Sequence, residues 1–127
     1  MSRRLLVLVG LYHLLTGAVM FLAPMSWYSA TPGVTDTGPF NMHFVMDIAL
    51  AFAVSGAAMI YGAARWDRTA GLCGAAWPVA HAALHIWVWI ARGLPGDLVA
   101  LLNLLGLQLP AWGALLLMWI TFNSGEQ

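Results

Sequence analysis

Long apolar stretches alternate along this chain with short polar breaks. Residues 5–23, 44–62, 71–91 and 98–122 are runs of Leu, Ala, Val, Ile, Met and aromatic side chains. Each is close to the 20 or so apolar residues, about 30 Å of helix, that cross the hydrocarbon core of a bilayer. They are too long for strands and do not alternate apolar with polar, and a membrane barrel of the smallest kind would need about eight strands. The pattern predicts an all-α fold, a four-transmembrane-helix bundle, as one integral membrane domain over residues 1–127. Arg3 and Arg4 precede the first run in the manner of a signal peptide. The run exceeds the roughly 7–15 apolar residues of such a segment, and Tyr28-Ser29-Ala30 is poor cleavage text, so it reads as a retained helix.

The breaks carry their own signals. Residues 24–42 form a connection much longer than two packed helices require. It holds the turn formers Pro32-Gly33, Asp36-Thr37-Gly38 and Pro39, and also Trp27, Tyr28, Val34 and Phe40, which are side chains that pack. A structured cover over one end of the bundle is predicted, not a loose linker. Asn41 and Asp97 stand where N-caps would satisfy the first free amides of the second and fourth helices. The two hairpins also show a faint repeat. Pro39-x-Asn41 followed by Asp47 matches Pro95-x-Asp97 followed by Asn103, as in hairpins duplicated about an axis along the membrane normal.

Composition narrows the classes. Hydrophobic residues make up 61 % and charged residues 8 %, against roughly 25 % charged in soluble domains, which excludes a water-soluble globule. Five arginines and five acidic residues cancel, and no basic run tracks a phosphate backbone, so nucleic acid is not an expected partner. Cys73 is the single cysteine, which excludes an internal disulfide, a CxxC redox pair and a thiolate zinc cluster. Arg3, Arg4, Arg65 and Arg68 fall on one side of the four runs and Arg92 alone on the other, so both termini are expected in the cytoplasm. Trp27, Tyr28, Trp66, Trp87, Trp89 and Trp119 lie near helix ends, where such rings anchor at the interface.

The chemistry lies in the few polar groups inside the runs. His43 and Asp47 are spaced i, i+4, as are His81 and His85, so each pair projects from one face of its helix. If the two faces meet, His43, Asp47, His81 and His85 form a three-histidine, one-carboxylate metal site for copper, zinc or iron. Met25, Met42 and Met46 lie in reach as soft ligands, and His13 and Asn103 belong to the same region. His13 and His81 share a mid-membrane depth with Gly10, Gly17, Ala80 and Ala82 beside them, the arrangement a bis-histidine haem would need. A proton-handling or polar-ligand pocket and purely structural hydrogen bonding are the other readings of the same residues. Pro78 and Pro110 free the carbonyls of Gly74 and Gly106. No nucleophile motif or glycine-rich phosphate loop is present.

The order of parts, with the helix opening GPFNMHFVMDIALAF after a Pro/Gly-bearing loop, resembles small bacterial four-helix membrane proteins of the DoxX-like kind and allied families of unknown function. The resemblance implies a bacterial inner-membrane location and, through quinol-linked oxidoreductases, an accessory-subunit role. The chain has no cysteine pair to carry thiol chemistry. Two functions are therefore expected: transition-metal binding or redox support, and a non-catalytic accessory subunit whose small-residue faces, such as Gly71, Gly74 and Ala75, pack against a larger membrane complex or a homo-oligomer.

Overall fold

The structure is a computed structural model, and it describes residues 2–123. Residue 1 and residues 124–127, and with them the two chain ends, lie outside the described residues. Helix α1 runs Ser2–Leu22, α2 Pro24–Ala30, α3 Met42–Arg65 and α4 Arg68–Ala91. The last span is α5 Leu98–Asn103, a π turn over Leu104–Gln108, and α6 Leu109–Asn123. Among the described residues four spans are long and apolar enough to cross a membrane, and no strand is present. The chain is thus an all-helical membrane protein by its build.

Helices α3 and α4 begin before their apolar runs because capping, not hydropathy alone, sets where a helix starts. Asn41 Oδ1 accepts from the Phe44 amide (3.1 Å), Asp67 Oδ1 from Ala70 (2.9 Å) and Asp97 Oδ1 from Ala100 (2.8 Å), each satisfying a first-turn donor that the helix itself leaves unbonded. The α3–α4 turn is tight. Trp66 takes the left-handed conformation at φ 57°, and the Asp67 amide reaches back to the Gly62 carbonyl at 3.0 Å, the six-to-one bond of a Schellman stop. Arg3 donates to the Ala64 carbonyl (2.8 Å) and stands over the Trp66 ring at 5.3 Å. Those contacts put the start of α1 at the same end as the α3–α4 turn.

The spans form a ring in which each packs on its neighbours in the order α1, α3, α4, α6. Lipid gives no hydrophobic drive between helices, so close backbone approach through small residues supplies the contact. A Cβ placed on Gly17 would lie 2.5 Å from the Ala49 carbonyl oxygen and 2.7 Å from the Ala53 amide, and one on Gly56 would lie 2.5 Å from the Leu14 amide. The α1–α3 contact is therefore backbone on backbone. Gly62 meets Gly71 and Gly74 meets Ser55 and Met59 between α3 and α4, while Met118 of α6 fills the space over Gly71. Gly71, Gly74 and Ala75, expected to face a larger complex, are buried inside the bundle instead. Close helix packing consumed the small residues within the chain.

The long connection folds as a cover. Trp27 and Phe40 pack on a buried cluster of Met20, Val45, Ala49 and Phe52. Tyr28 donates to the Gly38 carbonyl at 2.7 Å. Gly33, at φ 82°, lies so close to Val99 that an added Cβ would stand 2.8 Å from its Cγ1, so the cover reaches across to α5.

Candidate functional site

The middle of the bundle holds a chain of rings assembled from three spans. Trp77, His81 and His85 follow one another at i, i+4 and i+8 on α4, which stacks them along one stripe. The Trp77 and His81 ring centroids are 4.8 Å apart at 11°, and those of His81 and His85 are 4.6 Å apart at 62°. Phe52 of α3 meets Trp77 edge-on at 4.7 Å and His81 at 5.8 Å, and its centroid is also 5.8 Å from that of His13 on α1. Phe52 is buried because it lies on the side of α3 that carries Ser55 and Met59, toward α4.

His13 is 2 % exposed, and its Nδ1–H donates to the Val9 carbonyl at 2.9 Å. A carbonyl only accepts, so the proton is fixed on Nδ1 and Nε2 keeps its lone pair. By contrast, His81 and His85 have no hydrogen-bond partner among the described residues, and each is half-buried against neighbouring rings.

The fourth span closes the belt with hydrogen bonds. Pro110 has no N–H, so the carbonyl four residues earlier loses its usual helical partner. That carbonyl is Gly106, inside the π turn, and the Tyr12 hydroxyl donates to it at 2.8 Å. Gln108 Nε2 donates to the Ala82 carbonyl (2.8 Å) and to Asn103 Oδ1 (3.1 Å), while Trp112 Nε1 donates to Gln108 Oε1 (2.8 Å). A single side-chain amide thus clasps the turn of α4 that carries His81. π turns free backbone and re-aim side chains in this way, often where function sits.

The second histidine pair lies elsewhere. His43 Nε2 and Asp47 Oδ2 are 3.4 Å apart at the cover end of α3, with side chains 89 % and 57 % exposed. Among the described residues no three of His, Cys, Asp or Glu are gathered where an ion would sit. His43, Asp47, His81 and His85 are therefore two separate pairs, and not one four-ligand cluster. The reason is the rotation of α3. Ala49, Ala53 and Gly56 turn toward α1, Phe52, Ser55 and Met59 turn toward α4, and His43 and Asp47 project from the remaining face. Of the methionines near that end, Met25 and Met42 are exposed, and Met25 Sδ accepts from the Ser29 hydroxyl at 3.8 Å.

His13 and His81 do share a layer, but Phe52 is the common ring neighbour of both. A phenyl ring, not a slot, joins the two imidazoles, so the packing as built does not fit a haem between them. Tyr12, Phe52, Trp77 and Gln108 belong to the belt although the sequence reading assigned them nothing. Gln108 carried the plainest signal, as a lone amide deep in an apolar run. Trp77 stands one turn before His81, at the same i, i+4 spacing.

No family model, curated protein or solved structure matches the chain.

Proposed function

We propose that the chain is a small integral membrane protein of the bacterial inner membrane, with both termini in the cytoplasm, that binds a transition-metal ion in support of redox chemistry, and that His81 and His85 are its donors. The observation behind this reading is a pair of adjacent imidazoles within α4 that have no hydrogen-bond partner among the described residues. Bilayer interior offers no water to satisfy them. A polar group left unbonded in an apolar medium costs roughly 2–7 kcal/mol, depending on the reference state. An ion that accepts the two nitrogen lone pairs removes the acceptor part of that cost, one lone pair on each neutral imidazole. Copper ranks first among the candidates, ahead of zinc and iron, because a small imidazole set binds it most strongly in the divalent series. Two protein donors leave coordination positions open, which suits exchange with a ligand more than closed storage.

Metal analysis and a visible spectrum of purified protein in detergent test this. About one ion per chain is expected after loading with copper. Because ligands that act as a unit are non-additive, His81→Leu and His85→Leu should each remove most of the metal and the double variant little more. Leu keeps the span apolar, so insertion is preserved. His43→Ala should retain the ion. Stoichiometric metal in the His81→Leu/His85→Leu variant, or none in wild type under any loading, overturns the reading, and the second case leaves the accessory-subunit role as the better account.

A further inference from the structure

The two ends of the bundle treat their arginines differently. At one end Arg92 is engaged by Asp97 at 2.6 Å. Arg3, Arg4, Arg65 and Arg68 gather at the other, around the α3–α4 turn, and none of them has a carboxylate partner among the described residues. Arg68 is further set apart by its place at the mouth of an open groove of about 440 Å³ between α4 and α6. The walls are Leu72 on α4, one turn from Arg68, and Trp112, Leu115, Leu116 and Trp119 along one stripe of α6. The groove exists because these spans are held by a side chain, Met118 over Gly71, where α1–α3 and α3–α4 touch backbone to backbone. A Cβ added at Gly113, within the same stretch of α6, would meet nothing within 4 Å. A second groove at this end, beside Arg3, Arg4, Val7 and Leu8, is lined by α1 alone and has no wall from another span.

We infer that the α4–α6 groove binds one anionic phospholipid from the leaflet at the arginine end, with its phosphate on Arg68 and an acyl chain running inward past Leu72 and Leu116 to Trp112. Charge and depth commit the occupant. Arg68 Nη1 donates to Asn123 Oδ1 at 3.4 Å, which ties the guanidinium across the mouth and leaves the rest of its fork for phosphate oxygens. Arg68 opens α4 at the end where Trp66 and Trp119 stand, the level at which indole rings and headgroups meet. Trp112 lies seven residues before Trp119, about 10 Å deeper at the rise of a helix. Its indole N–H is already taken by Gln108 Oε1 at 2.8 Å, so the deep half of the groove calls for an apolar occupant. A cation at headgroup depth above an apolar slot between two spans matches one molecule end to end, an anionic lipid. The inference does not depend on a metal at His81 and His85.

Native mass spectrometry of the full chain in neutral detergent tests it, by titration with phosphatidylglycerol or with phosphatidylcholine of the same acyl chains. One phosphatidylglycerol should bind more tightly than any phosphatidylcholine. Arg68→Gln should weaken that binding by roughly 5-fold, the worth of one arginine at an anionic headgroup. Arg65→Gln makes the same charge change at the same end, on an exposed residue outside the groove, and should leave the affinity as in wild type. Leu72→Trp fills the groove without altering charge and should weaken both lipids. The melting temperature of each lipid-free variant shows that it folds. Equal binding of the two lipids, equal losses in Arg65→Gln and Arg68→Gln, unchanged binding in Leu72→Trp, or glycerol phosphate binding as tightly as the whole lipid would each overturn the groove site.

Discussion

Two histidine-bearing pairs in this molecule share one spacing and meet opposite fates. His81 and His85 lie among rings in the middle of the bundle, with Trp77 stacked beneath them. His43 and Asp47 stand on an uncovered face near one end. An i, i+4 spacing guarantees only that two side chains share a face of their own helix. Which neighbour that face meets is decided by helix rotation, and rotation is decided by where the backbones touch. On α3 the touching residues are Ala49, Ala53 and Gly56 against Gly10, Leu14 and Gly17 of α1. On α4 they are Gly71 and Gly74, with Gln108 clasping Ala82 from the far side.

The strongest way to break this contrast is to remove the contact that sets the phase of α3. Gly56→Leu places a side chain against the Gly10 carbonyl and the Leu14 backbone, atoms that cannot rotate away. Its destabilisation should reach or exceed the approximately 1–3 kcal/mol typical of core overpacking. Thermal unfolding in detergent reads the loss, and accessibility of a cysteine at Ala53 reads the separation of α1 from α3. Gly113→Leu is the control, since an added Cβ there meets nothing within 4 Å, and it should leave the melting temperature nearly unchanged.

A smaller effect is expected at the clasp. Gln108→Leu deletes the bonds to Ala82 and Asn103 and strands the Trp112 indole N–H. Leaving such a group unsatisfied costs about 1–3 kcal/mol. The variant should melt earlier and hold metal more weakly at His81–His85, while the exposed His43–Asp47 pair on α3 keeps its contact. Unchanged metal affinity in this variant would mean that the clasp does not position His81 and His85, and this part of the contrast would fail.

How far the sequence revealed all this follows from the same physics. Span positions were legible because about 20 apolar residues are a length requirement that a sequence states directly. The caps at Asn41 and Asp97 were legible because capping is local, and so was the packed loop, from Trp27, Tyr28 and Phe40. Helix rotation was not. A span that is apolar all round has no polar stripe to show which side faces inward, so the meeting of α3 and α4 through Phe52, and not through Asp47, left no mark in the pattern. The Gly106 carbonyl shows the middle case. Pro110 announced that it would be free, but only the folded bundle shows Tyr12 as its partner.

The mildest prediction concerns the caps, which fix where α3 and α5 begin and so the depth at which Asp47 and Gln108 ride. Asn41 is neutral, and Asn41→Ala should cost about 0.5–2 kcal/mol at any pH, the usual range for a lost N-cap. Asp97 is charged. Its carboxyl is held below the usual carboxylate range, first by the Ala100 amide it accepts from and then by Arg92, whose Nη2 lies 2.6 Å from Oδ2. A depressed folded-state value stabilises the fold above the unfolded value of about 3.9 and loses that contribution as pH falls through the folded one. The difference in protection of the Ala100 amide between wild type and Asp97→Asn should therefore be constant from near-neutral pH down to about pH 5 and shrink below about pH 4. Asn still caps, so Asp97→Asn removes only the ionic part, and because both Asp97 and Arg92 are exposed to solvent that part is screened and small. Hydrogen exchange at Ala100 as a function of pH separates the two contributions. A difference that grew on acidification would show that the Asp97–Arg92 contact does not support the start of α5.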